Sequence, residues 1–287
     1  MPCRGSIWLF GDSSRSFDKR TYGGQVPLTV EHQSNNVPII ELRAVSKHFG
    51  QLEVLRGASL ALRAGETAVI IGESGAGKSV VLKHIVGLLR PDSGEVHYEG
   101  RRIDNQPESD LAVIRSDFGF LFQMGALFDS LTAGENVGFP IAEQTRLSKT
   151  QRDRIVAEKM RMVGLDGIQS KKPGELSGGQ RKRVALARAI ALSPKVVLYD
   201  EPTTGLDPVR ADVINHLIIK LKRELGVTSV VVTHDMASAF KVADRIIMLW
   251  EGRFIFDGTP DDIRDCSDDR VRRFIEGRAS EEDLKNL

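Results

Sequence analysis

The chain has no long hydrophobic run. Its most apolar stretches, Ser229–Thr233 with its valines and Arg245–Trp250, have the length of strands, far short of the roughly 20 apolar residues that cross a bilayer. If the protein works at a membrane, another chain is expected to supply the span. Cysteine is scarce as well: Cys3 and Cys266 lie far apart and in no metal-ligand spacing. They read as free thiols of a reducing compartment, with a single bridge as the alternative. Charge of neither sign is in excess. A formal net charge of +1 offers no long-range field, so no nucleic-acid partner is expected. What is present, 41% apolar and 28% charged residues in a chain of 287, suits one large α/β domain or two small ones. A chain of this size buries about three quarters of its extended surface, enough to fold without a disulfide or a metal.

Residues 1–37 are rich in Ser, Gly, Asn and Arg without sustained periodicity and read as a disordered extension. Ile7–Phe10 is too short for a secretory signal. Pro38–Val45 and Gly57–Leu62 alternate apolar and polar residues, as half-exposed strands do. Thr67–Ile71 is a β-branched run ending in glycines, and a helical pattern follows from Lys78 to Leu89. From Gln123 to Lys172 the pattern turns to loops and a helix over Thr150–Val163. Helix Ser177–Ala191, strand Lys195–Tyr199, helix Ala211–Leu225 and strands Thr228–Thr233 and Ile246–Trp250 then restore α/β alternation. From Thr259 onward the chain is helical and highly charged.

Gly72-Glu73-Ser74-Gly75-Ala76-Gly77-Lys78-Ser79 has the spacing of a P-loop, between a strand and a helix that continues with Val80. Glycine lets the backbone wrap an anion with its N–H groups inward, and the helix offers its positive end to the same phosphates. Lys78 can reach the β- and γ-phosphates, and the Ser79 hydroxyl can ligate Mg²⁺. Val196–Glu201 reads as an apolar strand that delivers two carboxylates at its carboxyl end, where ligands sit in open parallel sheets. Asp200 suits the Mg²⁺ shell. Glu201 is placed to polarise a water attacking the γ-phosphate.

Leu176-Ser177-Gly178-Gly179-Gln180 resembles the signature of the ABC ATPases, here opening a helix with Ser177 as N-cap and a second anion site. Arg181, Lys182 and Arg183 follow; they read as a solvated helix face, with direct nucleotide contact as the alternative. Other family elements appear in order. Gln123, after strand Phe118–Phe122, looks like the Q-loop residue that touches Mg²⁺. His234, after Val230–Thr233, looks like the switch histidine on the γ-phosphate. Asp207 belongs to a D-loop, and Phe49 stands where the family stacks an aromatic, usually Tyr, on adenine; a plain core Phe is the alternative there. His32, His48, His84, His97 and His216 match no motif and read as structural or solvated.

The resemblance covers about residues 39–260. It implies an α/β fold of the P-loop NTPase class. The parallel-sheet core would be joined by an N-terminal antiparallel β subdomain and a helical insertion at about 124–192, all within a domain of 38–258 and followed by the charged tail 259–287. It implies ATP and Mg²⁺ as cofactors. Glu201, His234, Gln123 and Lys78 would be catalytic, and Ser79, Gln123 and Asp200 would hold the metal. ATP would lie against Phe49 and residues 72–80 of one subunit and Ser177–Gln180 and Asp207 of another, in a head-to-tail dimer of two copies or relatives.

Two stretches narrow the family. Residues 122–132, leading into Glu135-Asn136-Val137 and Phe139-Pro140, resemble the ATPases of Mla-type lipid transporters that work with MCE-domain proteins. Leu198–Pro208 and Val271–Gly277 fit the same group, while Gln180 departs mildly, many members having Met there. The resemblance implies a membrane permease partner, an MCE-domain protein, a lipid cargo, and a place on the cytoplasmic face of the membrane. Met124, Leu127, Phe128 and Leu131 offer an apolar surface for a permease helix or, equally, core packing. The competing expectations are a small-solute importer and a soluble ABC ATPase without a transport role.

Overall fold

The computed structural model describes residues 37–279. The extension expected at 1–37, apart from Val37, and the tail beyond 279 lie outside the described residues, as do Cys3 and His32.

In chain order the elements are β1 (Ile40–Phe49), β2 (Leu52–Leu62), β3 (Thr67–Ile71), α1 (Lys78–Ile85), β4 (Ser93–Tyr98), β5 (Arg101–Arg102), α2 (Glu108–Arg115) and β6 (Phe118–Leu121). Then come α3 (Ala133–Gln144), α4 (Lys149–Met162), α5 (Gly178–Ala189), β7 (Val196–Asp200), α6 (Pro208–Leu225) and β8 (Thr228–Thr233). The chain continues with α7 (Met236–Val242), β9 (Arg245–Trp250), β10 (Arg253–Gly258), α8 (Pro260–Arg264) and α9 (Asp269–Glu276). They build two sheets: an antiparallel one in the order β2-β1-β4-β5, and a six-stranded one in the order β10-β9-β3-β8-β7-β6. In the second sheet β6, β7, β8, β3 and β9 run parallel, and β10 closes the edge as an antiparallel hairpin with β9.

β3, β7 and β8 are buried at every position, the mark of a parallel sheet covered on both faces. Their residues alternate between two cores. Val69, Ile71, Val197 and Tyr199 face the side packed by α3–α7. Ala68, Ile70, Val196 and Leu198 face α1 and the antiparallel sheet, with Ile40, Leu42 and Leu55. Each strand thus cements two layers, and all its carboxyl ends open on one rim.

The expected α/β fold with its antiparallel β portion and helical segment is what the chain adopts. β3 and β8 have the bounds expected for them. Three differences have simple causes. The helix after the P-loop ends at Ile85 rather than Leu89, because Gly87 takes φ 67°. α3 was not distinguished, although Thr132 and Glu135 form a reciprocal capping box at its start; Pro140 inside it breaks the helical pattern. The sequence reading also lacks β4 and β5, which are short and sparsely apolar, and β10, whose apolar residues Phe254–Phe256 run together without alternation. Among the described residues no helix is long and apolar enough to cross a membrane.

Candidate active site

β3 ends at Ile71, and residues 72–77 turn back over its carboxyl end into α1. Two glycines are obligatory for reasons of space. A Cβ on Gly72 would lie 2.4 Å from the Leu249 carbonyl oxygen, and one on Gly77, which takes φ 99° as the N-cap of α1, would lie 2.8 Å from Val54 Cγ1. The loop leads into the first-turn N–H groups of α1, which have no intrahelical partner. The Lys78 ammonium is buried and donates to the carbonyls of Gly72 at 2.8 Å and Glu73 at 2.9 Å. It also stands 3.7 Å from the Glu201 carboxylate. Burial lowers its pKa, and the Glu201 charge opposes that shift.

β7 brings Asp200 and Glu201 to the same rim. The Ser79 hydroxyl donates to Asp200 Oδ1 at 2.7 Å, so the two oxygen ligands foreseen for Mg²⁺ are already adjacent. Burial raises the pKa of Asp200, while the bond from Ser79 lowers it. Hard oxygen donors with one carboxylate, completed by phosphate and water, are the set Mg²⁺ takes. Glu201 has φ 47°, a left-handed conformation costly for a residue with a side chain. Its N–H donates to the Val232 carbonyl at 3.0 Å. Its carboxylate accepts the hydroxyls of Thr204 at 3.2 Å and Thr233 at 3.4 Å and meets His234 Nδ1 at 3.0 Å.

Lys78, Ser79, Glu201 and His234 line a cleft of about 430 Å³ with Phe49, Val54, Ser74, Gly75, Gly77, Val80 and Gln123. Phe49 is 47% exposed, which rules out the core alternative. The Lys47 ammonium lies 5.8 Å from its ring centroid and is held at 2.7 Å by Asp92. Bonds from Lys47 and the His48 N–H keep the Asp92 carboxyl at about 2.

The structure does not bring every site candidate to this cleft. Ser177 caps α5 through a reciprocal box, its Oγ accepting the Gln180 N–H at 3.3 Å while Gln180 Oε1 accepts the Ser177 N–H at 2.9 Å. Asp207 caps α6 by a single bond, its Oδ1 accepting the Arg210 N–H at 3.0 Å. The two helix starts are neighbours: a Cβ on Gly178 would lie 3.9 Å from Leu206, and one on Gly179 3.5 Å from Arg210. None of these residues lines the cleft. The helix starts bearing Ser177–Gln180 and Asp207 thus form a cluster of their own outside the lining of the cleft.

The solvated-face expectation for residues 181–183 is corrected at Lys182, which is 7% exposed. Its ammonium donates to the carbonyls of Gln123 and, at 3.3 Å, Glu201. Burial lowers its pKa against the pull of Asp200 and Glu201. Arg181 donates to the Leu176 carbonyl and Arg183 to that of Gly164, at 2.6 and 3.0 Å; all three cations hold main chain. Helical spacing carried a signal for Lys182, since it shares a stripe with the buried Ala185 and Leu186 at i+3 and i+4. Thr204 and Thr233, which aim Glu201, were also missed; no motif reading singles them out. Of the apolar residues after Gln123, Met124 is 88% and Phe128 45% exposed, whereas Leu127 packs on the core. The thiol of Cys266 is free.

Comparison with known proteins agrees with this geometry. Residues 55–204 match the family model described as "ABC transporter". The chain is 40% identical over 239 residues to a probable ribonucleotide transport ATP-binding protein, Mkl, of Mycobacterium leprae, covering 83% of this chain and 69% of that one. It is 38% identical over 244 residues to the intermembrane phospholipid transport system ATP-binding protein MlaF of Haemophilus influenzae, covering 85% of this chain and 92% of that one. Among solved structures, the dimeric post-hydrolysis state of the ATP-binding cassette MJ0796, bound to ADP and Pi, superposes with a TM-score of 0.72 at 37% identity, over 77% of this chain and 98% of the other. A P-loop, a paired Asp-Glu strand end and a capped signature helix in one chain, together with these matches, have a single reading: the chain belongs to the ABC transporter family as an ATP-binding, ATP-hydrolysing subunit.

Proposed function

We propose that two copies of this chain, or one copy and a relative, close head to tail over two ATP molecules and so drive a lipid transporter whose permease is a separate membrane protein. The observation that supports the shared site is the separation within one chain of the P-loop cleft from the face bearing Ser177–Gln180 and Asp207. In this reading residues 72–80 bind the phosphates, Phe49 stacks on adenine, and Lys78 neutralises β- and γ-phosphate charge. Glu201 accepts the proton of the attacking water, with His234 and Thr233 holding its carboxylate in line. Mg²⁺ would be held by Ser79, Asp200 and Gln123, and when bound it supplies charge stabilisation to the transferring phosphoryl group.

A membrane permease is supported by a second, apolar cleft of about 450 Å³ lined by Phe120, Phe122, Phe128, Phe139, Pro140 and Arg188, beside the exposed Met124. Its shape and chemistry suit an amphipathic helix. In this reading the chain sits on the cytoplasmic face of the membrane, held there by its permease. Phospholipid as cargo, delivered with an MCE-domain protein, is supported by the resemblance of residues 122–140 and by the likeness to MlaF over nearly its whole length. The likeness to Mkl, named for ribonucleotide transport, favours a second reading in which the same ATPase serves a solute importer. Purification of the tagged chain from detergent-solubilised membranes, with mass spectrometry of co-purifying proteins and lipids, tests both. A permease with an MCE-domain protein and phospholipid is the expected result, and a solute-importer permease without lipid would overturn the cargo.

A further inference from the structure

At Lys182 three segments meet on one buried nitrogen. They are α5, which opens with Ser177–Gln180; the loop after β6, through the Gln123 carbonyl; and the end of β7, through the Glu201 carbonyl. A buried ammonium is costly unless it is compensated, and an apolar side chain of similar length would fill the same space. The two carbonyls and the nearby Asp200 and Glu201 carboxylates supply the compensation here. The segments it joins are the ones with constrained geometry. Glu201 is left-handed at φ 47°, and its carbonyl is held by Lys182 together with the Thr204 N–H at 3.3 Å. Two and three residues after Gln123, the carbonyls of Gly125 and Ala126 accept the Arg188 guanidinium, at 2.7 Å each, from the same helix. Lys182 itself does not line the nucleotide cleft.

We propose that Lys182 is a positioning residue that makes the Gln123 loop, the Glu201 backbone and α5 shift as one body. The occupancy of the chain's own cleft is thereby passed to Ser177–Gln180, which faces the nucleotide of the second copy. The inference rests on the head-to-tail reading above. It deepens that reading by giving the two ATP sites a physical link within each chain, and so a cooperative dependence of hydrolysis on ATP concentration.

The test compares the full chain with Lys182→Met and Lys182→Arg. Three quantities are read: the Kd for Mg-ATP under conditions where the chain is monomeric, the ATP dependence of hydrolysis, and the melting temperature. For Lys182→Met the expected result is a Kd changed by less than about twofold, a kcat lowered by about ten- to a hundredfold, and a Hill coefficient falling toward 1. Lys182→Arg keeps a cationic donor and should recover most of the kcat and the Hill coefficient. A Lys182→Met variant that keeps the wild-type Hill coefficient overturns the inference. So does one whose lost activity is matched by a lower melting temperature and weaker ATP binding, or one that Arg rescues no better than Met. A wild-type chain that neither dimerises with ATP nor hydrolyses cooperatively would remove the head-to-tail reading itself, an outcome distinct from failure of the variants alone.

Discussion

Glu201 and Asp200 are sequence neighbours to which the proposed reading gives different tasks, and their surroundings differ accordingly. Asp200 is tied to Ser79, whereas Glu201 is turned by its φ of 47° toward Thr204, Thr233 and His234. Glu201→Gln keeps the shape and those donors but cannot take a proton. The expected result is unchanged ATP binding with kcat lowered by about a hundredfold or more, and an ATP-dependent dimer that persists on size exclusion; unimpaired turnover would refute the role. Asp200 permits a pH prediction. Its folded-state pKa is raised, chiefly by burial, so the folded chain holds this proton more tightly than the unfolded chain does. The ionised form therefore lowers stability at neutral pH, and stability is regained as pH falls through the raised pKa toward the ordinary carboxylate value. Without Mg²⁺, Asp200→Asn should raise the melting temperature at pH 7 by about 2–4 °C, a shift corresponding to roughly 1 kcal/mol in a domain of this size, while weakening Mg-ATP binding. In the wild type, Mg-ATP affinity should begin to fall at a higher pH than an unperturbed aspartate would dictate. A flat affinity down to pH 4 would contradict this.

At the scale of elements, the helical segment is organised by its starts. α3, α4 and α5 each open with a reciprocal capping box, at Thr132–Glu135, Ser148–Gln151 and Ser177–Gln180. The three are chemically alike, and only the last carries glycines at its first two helical positions and abuts the Asp207 cap. Ser148→Ala should therefore cost about 1 kcal/mol of stability, read by urea unfolding, and leave ATPase activity intact. Ser177→Ala should cost a similar amount and in addition weaken ATP-driven association; equal behaviour of the two variants would argue against a nucleotide role for Ser177. Legibility follows the same physics. The runs Thr67–Ile71 and Thr228–Thr233 were readable because β-branched residues buried on both faces leave no polar interruption. In β4, by contrast, Ser93, Gly94 and Glu95 precede Val96, and the strand is made by pairing with β1, a partner about fifty residues away that no local pattern announces.

For the whole molecule, the feature on which the proposed shared site turns is that Ser177–Gln180 and Asp207 lie outside the lining of the P-loop cleft. Lys78→Ala disables the P-loop half and Gly179→Asp the signature half. Each variant alone forms dimers with both composite sites damaged. A mixed dimer places both defects in one site and leaves the other intact. Co-purified mixtures carrying two different tags should therefore recover hydrolysis that neither variant shows alone, and no recovery would count against a shared site. The apolar cleft at Phe128 and Phe139 shares no lining residue with the P-loop cleft, so Phe139→Glu should leave ATPase activity of the isolated chain unchanged while releasing it from the proposed membrane permease in pull-down assays.

Residue order alone marked the P-loop glycines, Lys78, the Asp200-Glu201 pair and the Ser177–Gln180 helix start, because each is a residue type at short spacing; His234 stood out only through the family resemblance. Residue order also determined the α/β character, since burial on both faces leaves a local trace in the strands. The strand order β10-β9-β3-β8-β7-β6 came from tertiary packing, since it joins segments as distant in the chain as β3 and β9. Tertiary structure likewise exposed Phe49 at the cleft, turned Glu201 left-handed, and drew Lys182 inside. Those outcomes follow from which neighbours are brought close, and burial and hydrogen-bond partners are properties of assembled space rather than of residue order.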